Sequence, residues 1–251
     1  MFNRGHFKQF EVIDNPDPNA PEGEKMGKEI SGNSNGSNAT NFSTDWLTDR
    51  AVDFINENSN IPFFCVISYP DPHGPNNVRA PYNAMYKKDS FELPITYRAD
   101  GEGIPNENMG VFKTANWTIA SGGHVRTASE VKKLIPTYFG MVKCLDDNIK
   151  KLFDKLSSEG ILDNTIIVFT ADHGDLLGEH GRENKGLPYE ASALIPFLIR
   201  YPSPISRQTV VNTAVNNADI MDTLISLASV SDYDESSTSG KTFLSLISNS
   251  R

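Results

Sequence analysis

Only two cysteines, Cys65 and Cys144, occur in the 251 residues, and neither stands in a pattern that recruits a metal or a redox partner. Cys65 lies inside an apolar run and Cys144 inside a helical pattern, so both are expected to be small core residues rather than a disulfide pair, and the redox compartment stays open. Positive charge is also scarce. Against 23 Lys and Arg stand 32 Asp and Glu, a net charge of −9. Phosphate-backbone binding needs a basic face, so nucleic acid is excluded as the expected partner. No apolar run reaches the roughly 18 residues of a membrane span. The opening MFNRGHFKQFEV lacks the apolar core of a signal peptide, and the expectation is a soluble protein without a membrane span.

What the chain does have is concentrated in Thr165 to Lys185, TIIVFTADHGDLLGEHGRENK. Thr165 to Thr170 is a β-branched and aromatic run without polar alternation, the pattern of a strand buried on both faces of a parallel sheet. Asp172, His173, Gly174 and Asp175 follow at its carboxyl end, where open α/β sheets bind ligands. A carboxylate beside an imidazole suits a divalent cation such as calcium, magnesium or manganese. The same residues also suit a plain turn, with Asp172 as its cap and His173 on the surface.

Residues 1–43 are polar, rich in Asn, Gly, Ser and Pro, and are expected to form loop or disorder, because they hold too little apolar area to offset the entropy of ordering. Asn35, Asn38, Asn41 and Asn116 each open an N-x-S/T sequon. From Thr44 a helical period brings Leu47, Ala51, Phe54 and Ile55 to one face, with Asp45 in the first turn facing the helix dipole. Phe63 to Ser68 reads as a second buried strand. It ends in Tyr69-Pro70-Asp71-Pro72-His73-Gly74-Pro75, where three prolines stiffen the backbone around His73; the histidine either enters a site or merely satisfies a backbone carbonyl.

Residues 76–126 are irregular, with scattered aromatics that line a cleft or pack over the sheet; Trp117 and the Gly122-Gly123-His124 turn carry no assigned role. Ser129 to Ser158 is the longest helical pattern, with Pro136 marking a kink or late start and Gly160 placed for a left-handed cap. Asp146 and Asp147, mid-helix, are expected to face solvent or cap a neighbour. Ile195 to Tyr201 reads as a strand with Pro196 at its first residue or on an edge, and Thr209 to Val211 as a weaker one. Asn217 or Asp219 starts a helix with Ile220, Met221, Leu224, Ile225 and Leu227 as its apolar positions.

Taken in order, PDPHGP after a buried strand, a long helix, NTIIVFTADHGDLLGEHG, Lys185 and PYEASALIPFLIRYP resemble the sulfatases of the alkaline phosphatase superfamily, from about residue 44 to 248. The resemblance implies an α/β fold, a partial alkaline-phosphatase-like core with a largely parallel or mixed central sheet flanked by helices, in one domain over residues 44–251. It implies that Asp172 and His173 ligate a divalent metal, calcium in most sulfatases with magnesium or manganese as substitutes, in the Asp-His form of iduronate-sulfatase-like members. It implies that His73 contacts the sulfate ester near the leaving oxygen, that Lys185 holds a sulfate oxygen, and that His180 stands beside the site. The substrate implied is a sulfated small molecule or glycan, and the compartment periplasmic, extracellular or lysosomal.

The chain also departs from the family pattern. Sulfatases use formylglycine, made from Cys or Ser in a Cys/Ser-x-Pro/Ala-x-Arg motif, and neither Cys65 nor Cys144 stands in one; Ser203-Pro204-Ile205-Ser206-Arg207 has Ile at the required Pro or Ala position. The early paired aspartates are missing as well. The resemblance is therefore to the second half of a sulfatase core, expected to be inactive alone, with a complementary N-terminal half as a partner. Two other functions fit the same motifs: a phosphoesterase or phosphonate hydrolase of the superfamily, and a pseudoenzyme that binds sulfated glycans.

Overall fold

A computed structural model of the chain describes residues 10–14, 25–29, 42–98, 126–186, 188–202, 205, 210–230, 233 and 238–248. The asparagines of the four sequons, Trp117 and the Gly122–His124 turn lie outside the described residues. The chain gathers into two compact units, one formed by Met1–Gly160 with His173–Leu194 and the other by Ile161–Asp172 with Ile195–Arg251.

The first unit begins with a hairpin, not with the irregular segment expected. Strand β1 (Phe10–Asp14) pairs antiparallel with β2 (Lys25–Glu29), Phe10 opposite Glu29. Backbone groups need partners, and a ladder supplies them even where the surrounding composition is polar. Helix α1 (Ser43–Asn58) follows and packs on the long helix α2 (Ala128–Ser158). Thr127 opens α2 with a capping box: its hydroxyl accepts from the Glu130 N–H while the Glu130 carboxylate accepts from the Thr127 N–H. Gly160, at φ +72°, ends it in the left-handed conformation expected of a glycine cap. Pro136 is carried inside the helix.

Phe42, Val78, Tyr82, Met141 and Cys144 form the apolar core of this unit. Gly140 is required there, because a Cβ on it would lie 2.4 Å from the Tyr82 carbonyl oxygen. Beside this core lies a buried polar one. Asp45, in the first turn of α1, is fully buried. Its carboxylate accepts from Arg79 Nε at 2.5 Å and Nη2 at 2.7 Å, and from Asn148 Nδ2 at 3.1 Å. These bonds to Asp45 push the Arg79 guanidinium further up. Asp146 and Asp147 do face outward, both accepting from Lys143, and Asp147 also from the Tyr82 hydroxyl.

Phe63 to Ser68 forms no ladder with the described residues, and Phe64 and Val66 are 81% and 73% exposed. A strand covered on both faces needs a neighbour on each edge and a layer above and below; the described residues supply neither. For the same reason Cys65 is exposed, against expectation, while Cys144 is buried, its thiol pushed up to about 12 by that burial. Short helix α3 (Glu190–Ala193) closes this unit.

In the second unit, β3 (Ile167–Thr170) pairs with β4 (Phe197–Arg200), and the pairing is antiparallel, Ile167 opposite Arg200. The expectation of a parallel strand buried on both faces is thereby corrected: β3 is half-buried with Thr170 exposed, Leu198 in β4 is 61% exposed, and no parallel pair occurs among the described residues. Pro196 stands just before β4, where a residue without an N–H disturbs no ladder. Val210, expected in a strand, is exposed and outside any.

Helix α4 (Ala218–Leu227) and α5 (Leu244–Ser248) complete the unit. Leu227, Phe243 and Ile247 pack with Ile166, Phe197, Ile199 and Tyr201. The covered face of α4 is more polar than its apolar period suggests: Asp222 and Thr223 are buried and Met221 is exposed. Asp222 accepts from the Tyr233 hydroxyl at 2.6 Å and the Thr238 hydroxyl at 2.9 Å, which ties the following segment to the helix. No helix among the described residues is long and apolar enough to cross a membrane.

Candidate active site

The first unit brings the proline-rich turn and the segment from His173 to Lys185 together. In the turn, the Asp71–Pro72 and Gly74–Pro75 peptide bonds are cis, and the His73 N–H donates to the Pro70 carbonyl at 3.0 Å. His73 Nδ1 is 2.7 Å from the Gly74 carbonyl oxygen. A carbonyl only accepts, so Nδ1 carries the proton and Nε2 presents a lone pair. That lone pair is 2.7 Å from Lys185 Nζ, which donates to it.

Asp71, two residues before His73, is buried at 5% exposure. One oxygen accepts from the Thr44 hydroxyl, and the other, Oδ1, has no hydrogen-bond partner among the described residues. Burial pushes this carboxyl up to about 7, the Thr44 bond pulling the other way.

From the DHG side, Gly174 is wedged against α3. Its N–H donates to the Ser192 carbonyl at 2.8 Å, and a Cβ on it would lie 2.0 Å from the Ala191 carbonyl oxygen. His173 Nδ1 bonds the Gly174 carbonyl at 2.7 Å, which leaves Nε2 as the lone-pair nitrogen here too. The His173 ring stands 6.4 Å from the His73 ring, edge to face at 73°. Asp175 Oδ1 accepts from the Leu177 N–H at 2.8 Å and the Asn184 N–H at 2.9 Å. Burial raises the Asp175 carboxyl, and these two backbone bonds pull it down.

Beside these groups lies a cleft of about 500 Å³ whose walls include His73, Asn76, Arg126, Lys133, Asp175 and Glu183. Arg126 forks onto Glu183 at 2.9 and 2.5 Å and reaches Glu130 at 3.6 Å. Its guanidinium is pushed up, chiefly by the Glu183 bond. The arginine is therefore a strut from the start of α2 to the 175–185 loop.

Of the residues singled out in the sequence, His73, His173 and Lys185 meet in this unit. Asp172 is exposed and belongs to the second unit. His180, at φ 52°, stacks on Tyr189 with ring centroids 4.0 Å apart. Asp71, Arg126, Asp175 and Glu183 were not singled out as site residues. Asp71 and Asp175 each stand in the same short motif as a chosen histidine, which was the available signal.

A hard divalent cation takes about six oxygen ligands. Among the described residues no group of three or more His, Cys, Asp or Glu side chains converges as a metal cage. Asp172 and His173 alone do not fit a complete metal centre. What the arrangement can do is recognise an oxyanion: two nitrogens 2.7 Å apart share one proton where an anion's oxygens would engage both.

A family model described as Sulfatase matches residues 4–230. An arylsulfatase of Clostridium perfringens is 32% identical over 193 residues, covering 75% of this chain and 38% of that protein. The phosphonate monoester hydrolase SpPMH of Silicibacter pomeroyi superposes with a TM-score of 0.74 at 24% identity, over 84% of this chain and 42% of that one. The structure of BT4656 in complex with its substrate D-glucosamine-2-N,6-O-disulfate superposes at 0.65 and 22% identity, over 91% of this chain and 54% of that one. The two structures show a shared α/β fold, and the chain spans well under half the length of the arylsulfatase it matches.

Proposed function

The chain belongs to the sulfatase family of the alkaline phosphatase superfamily, whose members are sulfuric ester hydrolases, and from that premise we propose that it carries the ester-recognising part of a sulfatase site and does not turn over alone. The observation that carries this reading is the contact of His73 Nε2 with Lys185 Nζ at 2.7 Å.

A sulfate ester offers three terminal oxygens and one bridging oxygen. Lys185, a compact cation with three donors, suits a terminal oxygen on which negative charge grows as the S–O bond breaks. His73 Nδ1 is engaged by the Gly74 carbonyl, so Nε2 is the nitrogen that meets Lys185. Once protonated there, it donates to the bridging oxygen and assists departure of the alcohol. Insertion of the ester separates the two nitrogens and gives each an oxygen in place of the other. The family resemblance makes Asp172 and His173 candidate donors toward a divalent cation, calcium being the family's usual choice, and among the described residues no group of three or more acidic, His or Cys side chains gathers to complete such a shell. No step is routed through that cation, nor through a formylglycine, whose motif is absent.

The walls of the cleft balance Arg126 and Lys133 against Glu183 and Asp175, a polar lining suited to a hydroxyl-rich alcohol such as a sugar. The phosphonate hydrolase likeness favours one rival, a phosphonate or phosphate ester as substrate.

The test is a titration of the purified chain with 4-nitrophenyl sulfate, 4-nitrophenyl phosphate and phenyl phosphonate, read by the ring ¹⁵N resonances of His73 and by nitrophenolate release. The sulfate ester is expected to shift Nε2 most, Lys185→Met to abolish the shift, and no nitrophenolate to appear with or without calcium. A larger response to the phosphorus esters favours the rival. Lys185-dependent turnover by the chain alone, or silence toward every anion, overturns the proposal.

A further inference from the structure

Between His173 and Lys185 the chain makes a loop with little regular structure, yet its two ends are tied to a single atom. Asp175 Oδ1 accepts from Leu177 N–H at 2.8 Å at the start of the loop and from Asn184 N–H at 2.9 Å at its end. Asn184 sits at φ +64° and Leu177 at +44°, conformations that side chains other than glycine enter only when something holds them there. Asn184 immediately precedes Lys185. The Leu176 N–H donates to the Asn184 carbonyl at 2.7 Å, Leu176 itself is buried against Tyr189 and Ala191, and the Gly178 N–H donates to the Arg182 carbonyl at 2.6 Å. The loop is thus internally laced, and Asp175 clasps it shut at the point where Lys185 emerges.

We propose that Asp175 is a positioning residue for this site: by accepting from the Leu177 and Asn184 N–H groups it fixes the direction in which Lys185 leaves the loop and so holds the ammonium on His73 Nε2. The inference rests on the reading of the His73–Lys185 contact as the anion-recognising element, but its first readout needs no substrate. The demand on residue 175 is geometric. An acceptor oxygen one carbon beyond Cβ is required, and the charge is not.

That demand separates two conservative substitutions. Asp175→Asn keeps a carbonyl oxygen at Oδ1 and loses the charge. Asp175→Glu keeps the charge and moves the oxygens outward by one carbon. In the free chain, D175N is expected to retain the wild-type His73 Nε2 resonance, whereas D175E and D175A shift it toward the value in Lys185→Met. Affinity for 4-nitrophenyl sulfate should follow, with a loss of about tenfold in D175E and D175A and little change in D175N, the size common for residues that orient a site group. Far-ultraviolet dichroism records whether each variant folds. If D175A does not fold, the contrast between D175N and D175E decides by itself. A D175E variant with the wild-type resonance, or a D175N variant that loses it, overturns the proposal. Failure of wild type to bind any anion while the resonance pattern holds strikes only the function proposed above.

Discussion

Lys185 Nζ donates to His73 Nε2 at 2.7 Å across 112 positions of sequence. Each nitrogen shields the other. Replacing Lys185 with Met removes this donor and makes the imidazole lone pair more available to electrophiles. Diethyl pyrocarbonate should then modify His73 about two- to tenfold faster, the ratio that corresponds to a net hydrogen bond of about 0.5–1.5 kcal/mol. Peptide mapping by mass spectrometry reads the rate at His73, with His180, stacked on Tyr189, as an internal reference whose rate should not change.

A second expectation concerns Asp71, whose buried carboxyl is pushed up to about 7. Its proton is held more tightly in the folded chain than in the unfolded one. The folded state therefore binds more protons between about pH 4 and 7, and stability falls as pH rises through that window, after which the penalty is constant. Asp71→Asn keeps the shape without the charge. Urea unfolding should show the variant gaining on wild type from pH 5 to pH 8 by on the order of 3 kcal/mol. A constant difference across that range would refute the buried, unpaired assignment of Oδ1.

How far these features could be read from sequence depends on how local their causes are. The long helix was legible almost to the residue, expected over Ser129 to Ser158 and found over Ala128–Ser158, because its apolar period and the Gly160 stop are local signals. The strands were not. Thr165 to Thr170 has the composition of a doubly covered strand, but pairing direction and coverage are set by distant partners, and here the partner is antiparallel β4 alone. Phe63 to Ser68 has the same composition and no strand partner among the described residues. At the site, His73, His173 and Lys185 were legible as motif members. Asp175 was not, since a carboxylate that grips backbone N–H groups leaves no companion side chain in the sequence to mark its role. Asp45 stands in the first turn of α1 as its sequence position implies, but its pairing was not legible, since only the fold brings Arg79 onto it.

That burial gives a third expectation. Arg79→Met leaves the Asp45 carboxylate enclosed without its fork, and breaking a buried ion pair from one side costs about 3–5 kcal/mol. Asn148 and Lys151, at 3.1 and 3.5 Å from Asp45 Oδ1, soften the loss without replacing two short bonds. In a double-mutant cycle, Asp45→Asn combined with Arg79→Met should recover a substantial part of the loss seen in Arg79→Met, measured by the urea midpoint. Additive losses would mean that the two side chains do not depend on each other.

The last expectation compares two glycines whose backbones make opposite demands. Gly160 has φ +72° and nothing within 4 Å of an added Cβ, so Gly160→Ala meets only left-handed strain, about 1–2 kcal/mol. Gly174 is limited by space. Its Cβ would lie 2.0 Å from the Ala191 carbonyl oxygen and 3.1 Å from that of Leu194, and backbone cannot swing aside as a long side chain can. Gly174→Ala must push the DHG segment away from α3 and stretch the bond from its N–H to Ser192. The global cost should be about 1–3 kcal/mol, typical of overpacking, so the two variants need not differ much in melting temperature. They should differ in where the damage falls. Gly174 stands between His173, whose ring is 6.4 Å from His73, and Asp175, which clasps the loop to Lys185. Gly174→Ala should therefore shift the His73 and His173 ring resonances while Gly160→Ala leaves both in place, and equal spectra for the two variants would show that the site does not depend on the close approach of Gly174 to α3.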